Sequence, residues 1–556
     1  MGEIPREKIK AYALENAVKH GGTARKEAVL SSLFAEGLQK EQIKEYLGKI
    51  DEVIKEIGAL SDEEKEKELK KLSKLIKKRE KRSGLPPLKN AKKGEVITRF
   101  APFPSGPLHI GNARTLILND EYAKMYNGKM LLVIDDTIGS KDKPIQKEAY
   151  KLIPEGARYL KTKFSRVVKK SSRMKLYYQY AEKLIKSGHL YVCDCPIDKM
   201  RSLREKGVEC SCRQYPPKIQ MKRWKKMFKA KEGSMCARLK TDMQDKDPAF
   251  RDRVMFRISD QPHALLGKKY RVYPLLDFSW AIDDHFLKIT HILRGMELAI
   301  ETRVEKFIWD IFGWKHPEVI YNGLFEIKGI KISKSKGAKE IKSGKYIGWD
   351  DPRTWSIQSL ERRGILAESI REFILKMGLK KTNTITPIEV LYSINRKNLN
   401  DSQRHFFIEN PKKIRIENAP ISIAKIPLHP SKNLGSRQCK TGNEFYISGL
   451  DFDLLKEGNF RLMYLFNFNI DSEKKARFIS REPDPKINAL PLHWLPAEEK
   501  SEKVRILMPD ASYREGIGNP ELRNLKVGTI VQFERFGFAK LNKKEKDFLE
   551  FWFAHN

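Results

Sequence analysis

The sequence predicts a multidomain α/β chain. It has a Rossmann-like parallel sheet split by an inserted domain, a helical connector, C-terminal antiparallel β-barrels and an N-terminal helical appendix. Three observations carry that prediction. A strand–helix–strand pattern of βαβ size runs from Glu95 to Ile134. A second apolar helix, Glu301–Phe312, and a strand-like run, Glu318–Tyr321, follow only after a long intervening segment. From about residue 385 the chain turns to short alternating runs of the kind that build barrels.

Taken in order, residues 1–92 are Lys/Glu-rich with helical periodicity; Ile9, Tyr12, Ala13 and Ala17 mark one face. A charged helix over 61–83 ends at Ser83-Gly-Leu-Pro-Pro87; the appendix as a whole adds basic surface, and the second half of it reads equally well as a solvated linker with no binding role. Residues 93–190 form the first half of the sheet domain: strand Glu95–Phe100, helix Ile110–Asn127 stopped by Gly128, and strand Met130–Ile134. The insert spans 191–290, and the second half of the sheet domain spans 291–345. Past Trp349-Asp-Asp-Pro-Arg353 a helical connector occupies 346–384. The barrels take 385–556, with strands at Ile414–Ile416, Phe445–Ile447, Val504–Met508 and Thr529–Phe533. No internal repeat is evident.

At 556 residues, 40% of them hydrophobic, the chain has material for about three to five cores. The 109 Lys and Arg against 72 Asp and Glu leave a net charge of +37. So large an excess points to a polyanionic partner, nucleic acid before a membrane surface. No apolar run is long enough to span a bilayer, and the N-terminal residues lack a signal-type apolar core. Four of the six cysteines crowd into one stretch, unlike a secreted disulfide scaffold, so a cytoplasmic location is expected.

Two strings carry the chemistry. Arg99-Phe-Ala-Pro-Phe-Pro-Ser-Gly-Pro-Leu-His109-Ile-Gly-Asn112 takes a strand through a Pro/Gly turn into a helix that opens at His109; Lys331-Ile-Ser-Lys-Ser335 is a cationic Lys/Ser loop. Either alone is weak in so Lys-rich a chain, but their order, separation and βαβ setting make the pair specific. They resemble the ATP-binding signatures of class I aminoacyl-tRNA synthetases. The resemblance implies adenylation of an amino-acid carboxylate by ATP with Mg²⁺. That reaction needs no protein nucleophile, only positioning and neutralisation of charge on phosphate. A helix start at His109 supplies oriented N–H groups, Gly106 and Gly111 allow close backbone approach, and Lys331 and Lys334 can close on the triphosphate. The resemblance adds Pro102, Asn112 and Ser333 to the ATP contacts, and gives His109, Lys331 and Lys334 the catalytic roles.

At the amino-acid end, Arg99 to Gly106 followed by Ile134-Asp-Asp-Thr137 is similar to the glutamyl/glutaminyl branch of that family. Tyr273–His285, which includes Trp280, together with His291–Gly295, Arg238–Asp242 and Asp247–Asp252, continue the likeness. Gly528–Phe538 is similar to the anticodon-binding barrels of the archaeal and eukaryotic members. The resemblance implies amino-acid contacts at Arg99, Ala101, Ser105, Asp135 and Arg294. A side-chain carboxylate in a closed pocket needs a cation, ideally a guanidinium, so Arg294 favours glutamate. A tRNA or surface contact for Arg294 is the alternative. Asn112 departs from the second histidine of the motif, and Leu276 stands where relatives carry a Tyr.

The expected reaction is therefore transfer of L-glutamate to tRNA-Glu, with tRNA-Gln left open as a second acceptor and a monomer expected. A glutaminyl enzyme and a catalytically inactive tRNA-binding paralogue are the rivals. Cys193-Asp-Cys195 and Cys210-Ser-Cys212 can place four thiolates around a structural Zn²⁺, the alternative being four reduced thiols. Cys236 and Cys439 read as ordinary buried residues.

Overall fold

The computed structural model describes residues 4–20, 22–76, 84–137, 144–330 and 332–556. The chain divides into two compact units, 1–83 and 84–556. In the first, helices α1 (Arg6–Lys19), α2 (Lys26–Ala35), α3 (Ile43–Gly58) and α4 (Asp62–Leu72) bury one small core. All four residues of the expected α1 face are inside it, with Tyr46, Ile50, Val53 and Ile57 of α3 at helical spacing. Helix α4 begins in a reciprocal cap, in which Ser61 and Glu64 each satisfy the other's backbone N–H. It ends at Leu72, well before residue 83, and a turn follows to Leu75; residues 77–83 lie outside those described.

The second unit opens with β1 (Ile97–Phe100), α5 (Ile110–Met125) and β2 (Lys129–Ile134), followed by α6 (Ala149–Tyr159) and β3 (Arg166–Lys169). The three strands are parallel, β2 in the middle, Ile97 facing Lys129 and Leu131 facing Arg166. Met130–Ile134 is buried on both faces, as expected of an apolar run in a covered parallel sheet. Helix α7 (Met174–Lys186) leads into the insert. There β4 (Leu190–Cys193), helices α8 (Ile197–Lys206) and α9 (Pro217–Met227), and strands β5 (Cys236–Leu239), β6 (Val254–Ile258) and β7 (Val272–Pro274) form a four-stranded antiparallel sheet with flanking helices.

Helix α10 (Leu276–Phe286) returns the chain to the parallel layer, where β8 (His291–Gly295), α11 (Ala299–Phe312) and β9 (Glu318–Asn322) form a second parallel piece. Ile97 hydrogen-bonds Thr290 through both its N–H (2.8 Å to Oγ1) and its carbonyl (2.9 Å from N), which sets the two halves side by side. Next come β10 (Phe325–Ile327), α12 (Lys334–Lys342), α13 (Ile357–Arg363), α14 (Ala367–Met377), β11 (Thr384–Thr386) and α15 (Glu389–Asn398). Helix α15 lies where the sequence reading starts the barrels. Its buried Leu391, Ile394 and Asn395 hold it against the connector, so strand pairing starts only at Arg404.

Two seven-stranded sheets complete the unit. One uses a contiguous stretch, Lys412–Pro496. The other combines Arg404–His405 and Phe407–Glu409 with strands from Glu502 to His555. Arg363 of α13 ties this second sheet to the connector by donating to the carbonyls of Phe553 and Ala554.

Candidate active site and metal centre

The turn from β1 into α5 places the first motif. His109 is the N-cap of α5: its Nδ1 accepts from Gly111 N at 3.1 Å, while Asn112 Oδ1 accepts from His109 N at 3.3 Å. Asn112 thus closes a reciprocal cap, and its amide NH₂ remains a donor for a ligand. A Cβ on Gly111 would lie 3.0 Å from the His109 ring, so this glycine makes room for the imidazole. Pro102 accepts from Asp135 N at 3.1 Å, joining the turn to the end of β2; Ser105 is buried and Ala101 half-buried beside them.

The second motif is not all loop. Ser333 caps α12 by accepting from Lys336 N at 3.2 Å, and Lys334 is the first residue of that helix. Lys331 lies outside the described residues. The two motifs face each other across clefts of about 120 and 490 Å³. The smaller is lined by His109, Ser333 and Lys334, the larger by Ser105, Gln146 and Lys334, and Trp349 borders both. An α-helix start on one wall and lysines on the other form an anion-binding arrangement.

Three of the five expected amino-acid residues, Arg99, Asp135 and Arg294, come together in a buried charge cluster around Trp280 of α10. Arg99 is paired through two of its three guanidinium nitrogens, Nε and Nη2, with Asp284, Nη2 to Oδ2 at 2.8 Å. Asp135 meets Lys170, whose Nζ lies 3.1 Å from Oδ1 and 3.0 Å from Ser279 Oγ. Arg294 Nη1 donates to Thr302 Oγ1 at 2.9 Å and to Glu305 Oε1 at 3.0 Å. The three cations lie 4.8–4.9 Å from the Trp280 ring. Arg294 is 3% exposed, and the carboxylate it meets, Glu305, is itself buried. Its Nε and Nη2 are buried without a partner, as is Trp280 Nε1. Burial raises the Glu305 carboxyl to about 7 against the pull of Arg294, and burial raises that of Asp283, which Arg173 and Tyr177 hold.

Lys170 and Glu305 escaped the sequence reading, and Trp280 entered it without a role, because each meets its partner only through the fold. Helix α10, assigned above to the insert, supplies Trp280, Asp283 and Asp284 to this cluster. Leu276, the other departure, is half-buried at the helix's first turn.

In the insert, the sulfurs of Cys193, Cys195, Cys210 and Cys212 all lie within 4.8 Å of one another; Cys193 and Cys210 are 4.0 Å apart and Cys195 and Cys212 3.7 Å. A tetrahedral zinc with bonds of about 2.3 Å needs sulfurs roughly 3.8 Å apart, so the set fits that ion. Arg223 Nη2 sits 3.6 Å from Cys212 Sγ and pairs at 2.7 Å with Asp194 Oδ1, which lies 3.0 Å from the same sulfur. Cys236 and Cys439 are half-buried rather than buried, Cys236 packing against the thiol cluster.

Residues 95–401 match the family described as tRNA synthetases class I (E and Q), catalytic domain, and residues 402–482 and 491–542 match two anticodon-binding domain families of the same group. The chain is 42% identical to a glutamate–tRNA ligase of Pyrococcus abyssi, covering 100% of each. It is 40% identical to one of Methanocaldococcus jannaschii, over 99% of this chain and 100% of that one. A glutamate–tRNA ligase of Pyrococcus furiosus is 42% identical over 98% of both.

Proposed function

The chain belongs to the class I tRNA synthetases of the glutamate and glutamine group, and on that premise we infer that it is a glutamate–tRNA ligase. It activates glutamate with ATP and transfers it to the 3′ end of tRNA. The observation that carries the choice of amino acid is Arg294, a buried guanidinium with two unpartnered nitrogens in the cluster that holds Arg99 and Asp135.

In the first step the α-carboxylate of glutamate attacks the α-phosphate of MgATP and pyrophosphate leaves. The His109 helix start and Lys334 stabilise the charge that builds on the phosphate oxygens, from the cleft that both line. Lys331 shares that role on sequence grounds. Arg99, Ala101, Ser105 and Asp135 line the amino-acid side, and Arg294 pairs with the γ-carboxylate through the free edge of its guanidinium. In the second step a terminal ribose hydroxyl of tRNA attacks the activated carbonyl and AMP leaves. The +37 charge serves the tRNA backbone, and the barrels its anticodon arm.

The four cysteines would hold a structural Zn²⁺ that stabilises a small knuckle poor in apolar core. Among the described residues no helix is long and apolar enough to cross a membrane. Glutamate-dependent ATP–pyrophosphate exchange tests the first step, and charging of purified tRNA-Glu and tRNA-Gln with each amino acid tests the second. Exchange with glutamine and none with glutamate would overturn the assignment.

A further inference from the structure

We propose that Trp349 is a positioning residue for ATP activation: its indole is the surface against which both the Gly106 turn and helix α12 seat, and it thereby fixes where Lys334 stands relative to the His109 helix start. The inference rests on the adenylation reading above.

The ring touches one glycine from each motif. A Cβ on Gly106 would lie 2.9 Å from Trp349 Cη2, and a Cβ on Gly337 would lie 3.1 Å from Cζ3. Both backbones therefore approach the indole as closely as a residue without a side chain permits. Gly337 sits three residues after Lys334 on α12, on the same side of the helix. Trp349 borders both clefts that contain Lys334.

The backbone of Trp349 is also anchored. Its own carbonyl accepts from Ser356 Oγ at 2.6 Å and Thr354 Oγ1 at 2.8 Å. Ser356 Oγ accepts in turn from Ser359 N at 2.9 Å as the cap of α13, and Ile357 N donates to Leu108 O at 2.8 Å, next to His109. At the other end, Arg353 chelates Asp351, donates to Lys345 O at 2.8 Å and stacks 4.2 Å from the Tyr346 ring. The segment 345–357 is thus tied to the first motif at one end and runs on from the end of α12 at the other.

Gly337 gives a clean test, because its helical backbone suits alanine better than glycine. Gly337→Ala, Trp349→Ala, Trp349→Phe and the double variants are compared by melting temperature and by glutamate-dependent pyrophosphate exchange. We expect Gly337→Ala to lower kcat about 10- to 100-fold by misplacing Lys334, with the KM for glutamate within about twofold. In the Trp349→Ala background the same change should alter kcat less than about twofold, since the obstructing ring is gone. Trp349→Ala alone should also lower kcat, and Trp349→Phe should restore most of the rate.

Equal losses from Gly337→Ala in both backgrounds, or a wild-type kcat for Trp349→Ala, would overturn the proposal. If Trp349→Ala shows no cooperative melt, the smaller ring of Trp349→Phe takes its place: it must relieve Gly337→Ala, and no relief overturns the idea. A wild-type chain without glutamate-dependent exchange when tRNA-Glu is present overturns the adenylation reading itself, before any variant is compared.

Discussion

Replacing Arg294 by glutamine tests the glutamate pocket most directly. In the structure one nitrogen of the guanidinium is spent on Thr302 and Glu305, while Nε and Nη2 are buried and unpartnered. Those two nitrogens share one edge of the plane, the edge that takes a carboxylate in two parallel bonds. Without them the γ-carboxylate would enter a dry site unpaired, a loss of about 2–5 kcal/mol. The lower end of that range corresponds to about 30-fold, so kcat/KM for glutamate should fall at least that far in pyrophosphate exchange.

Glu305 adds a complication that the sequence conceals. With its cation gone, this buried carboxylate either repels the incoming γ-carboxylate or takes up a proton. The double variant Arg294→Gln/Glu305→Gln separates the two effects. It should recover no more than about tenfold, because the repulsion is gone while the bidentate partner is still missing. Use of glutamine should be unchanged or improved in both. Equal loss of glutamate and glutamine, or a single variant within about threefold of wild type, would refute the reasoning and make Arg294 a structural residue.

Lys334→Ala should slow adenylation by about 10²–10³ with a much smaller change in KM for ATP, since its contact matures in the transition state; unchanged turnover in pyrophosphate exchange would remove it from the site. Freshly purified protein should carry close to one equivalent of zinc by elemental analysis, and Cys193→Ser less than half of that, with the knuckle unfolding locally and the global melt mostly retained; a wild-type content under half an equivalent would refute the metal assignment. Glu305→Gln should change the pH dependence of stability. A carboxyl raised from 4.5 to about 7 favours the fold fully below pH 4.5, and that contribution is lost as pH rises through 7. Wild type should therefore lose stability across that window that the variant does not. Parallel melting-temperature profiles of the two proteins from pH 4.5 to 8 would rule this out.

Local pattern made much of this chain legible. The apolar run Met130–Ile134 between Gly128 and the acidic pair could only be a covered strand, and His109 ahead of an apolar helix read as a cap. The paired Cys-x-Cys spacings announced their cluster, because four thiols so dense have few other uses. What stayed hidden was non-local. Lys170 reaches Asp135 and Ser279 from a segment with no motif, and nothing near Arg294 in sequence marks Glu305 as its partner. Arg99 and Asp284 find each other across 185 residues. Helix α15 was missed because its short apolar stripe at 391–394 is too brief to outweigh the alternating runs that follow. Trp349 gave no signal, since its partners are two glycines whose only mark is what they lack.

The barrel joined to the connector is assembled from both sides of its neighbour. Its first strands, Arg404–His405 and Phe407–Glu409, leave the ribosome before the whole of the 412–496 barrel, yet they pair with strands that lie beyond residue 512. During synthesis the contiguous barrel can close on its own while those early strands wait with exposed edges, the state most open to mispairing. Closure of the waiting barrel falls to the last strand, Leu549–His555, which lies between two other strands of its sheet and supplies the carbonyls that Arg363 grips. A deletion of those few residues would therefore reach past the anticodon end and release α13, the helix whose capping serine holds the backbone of Trp349.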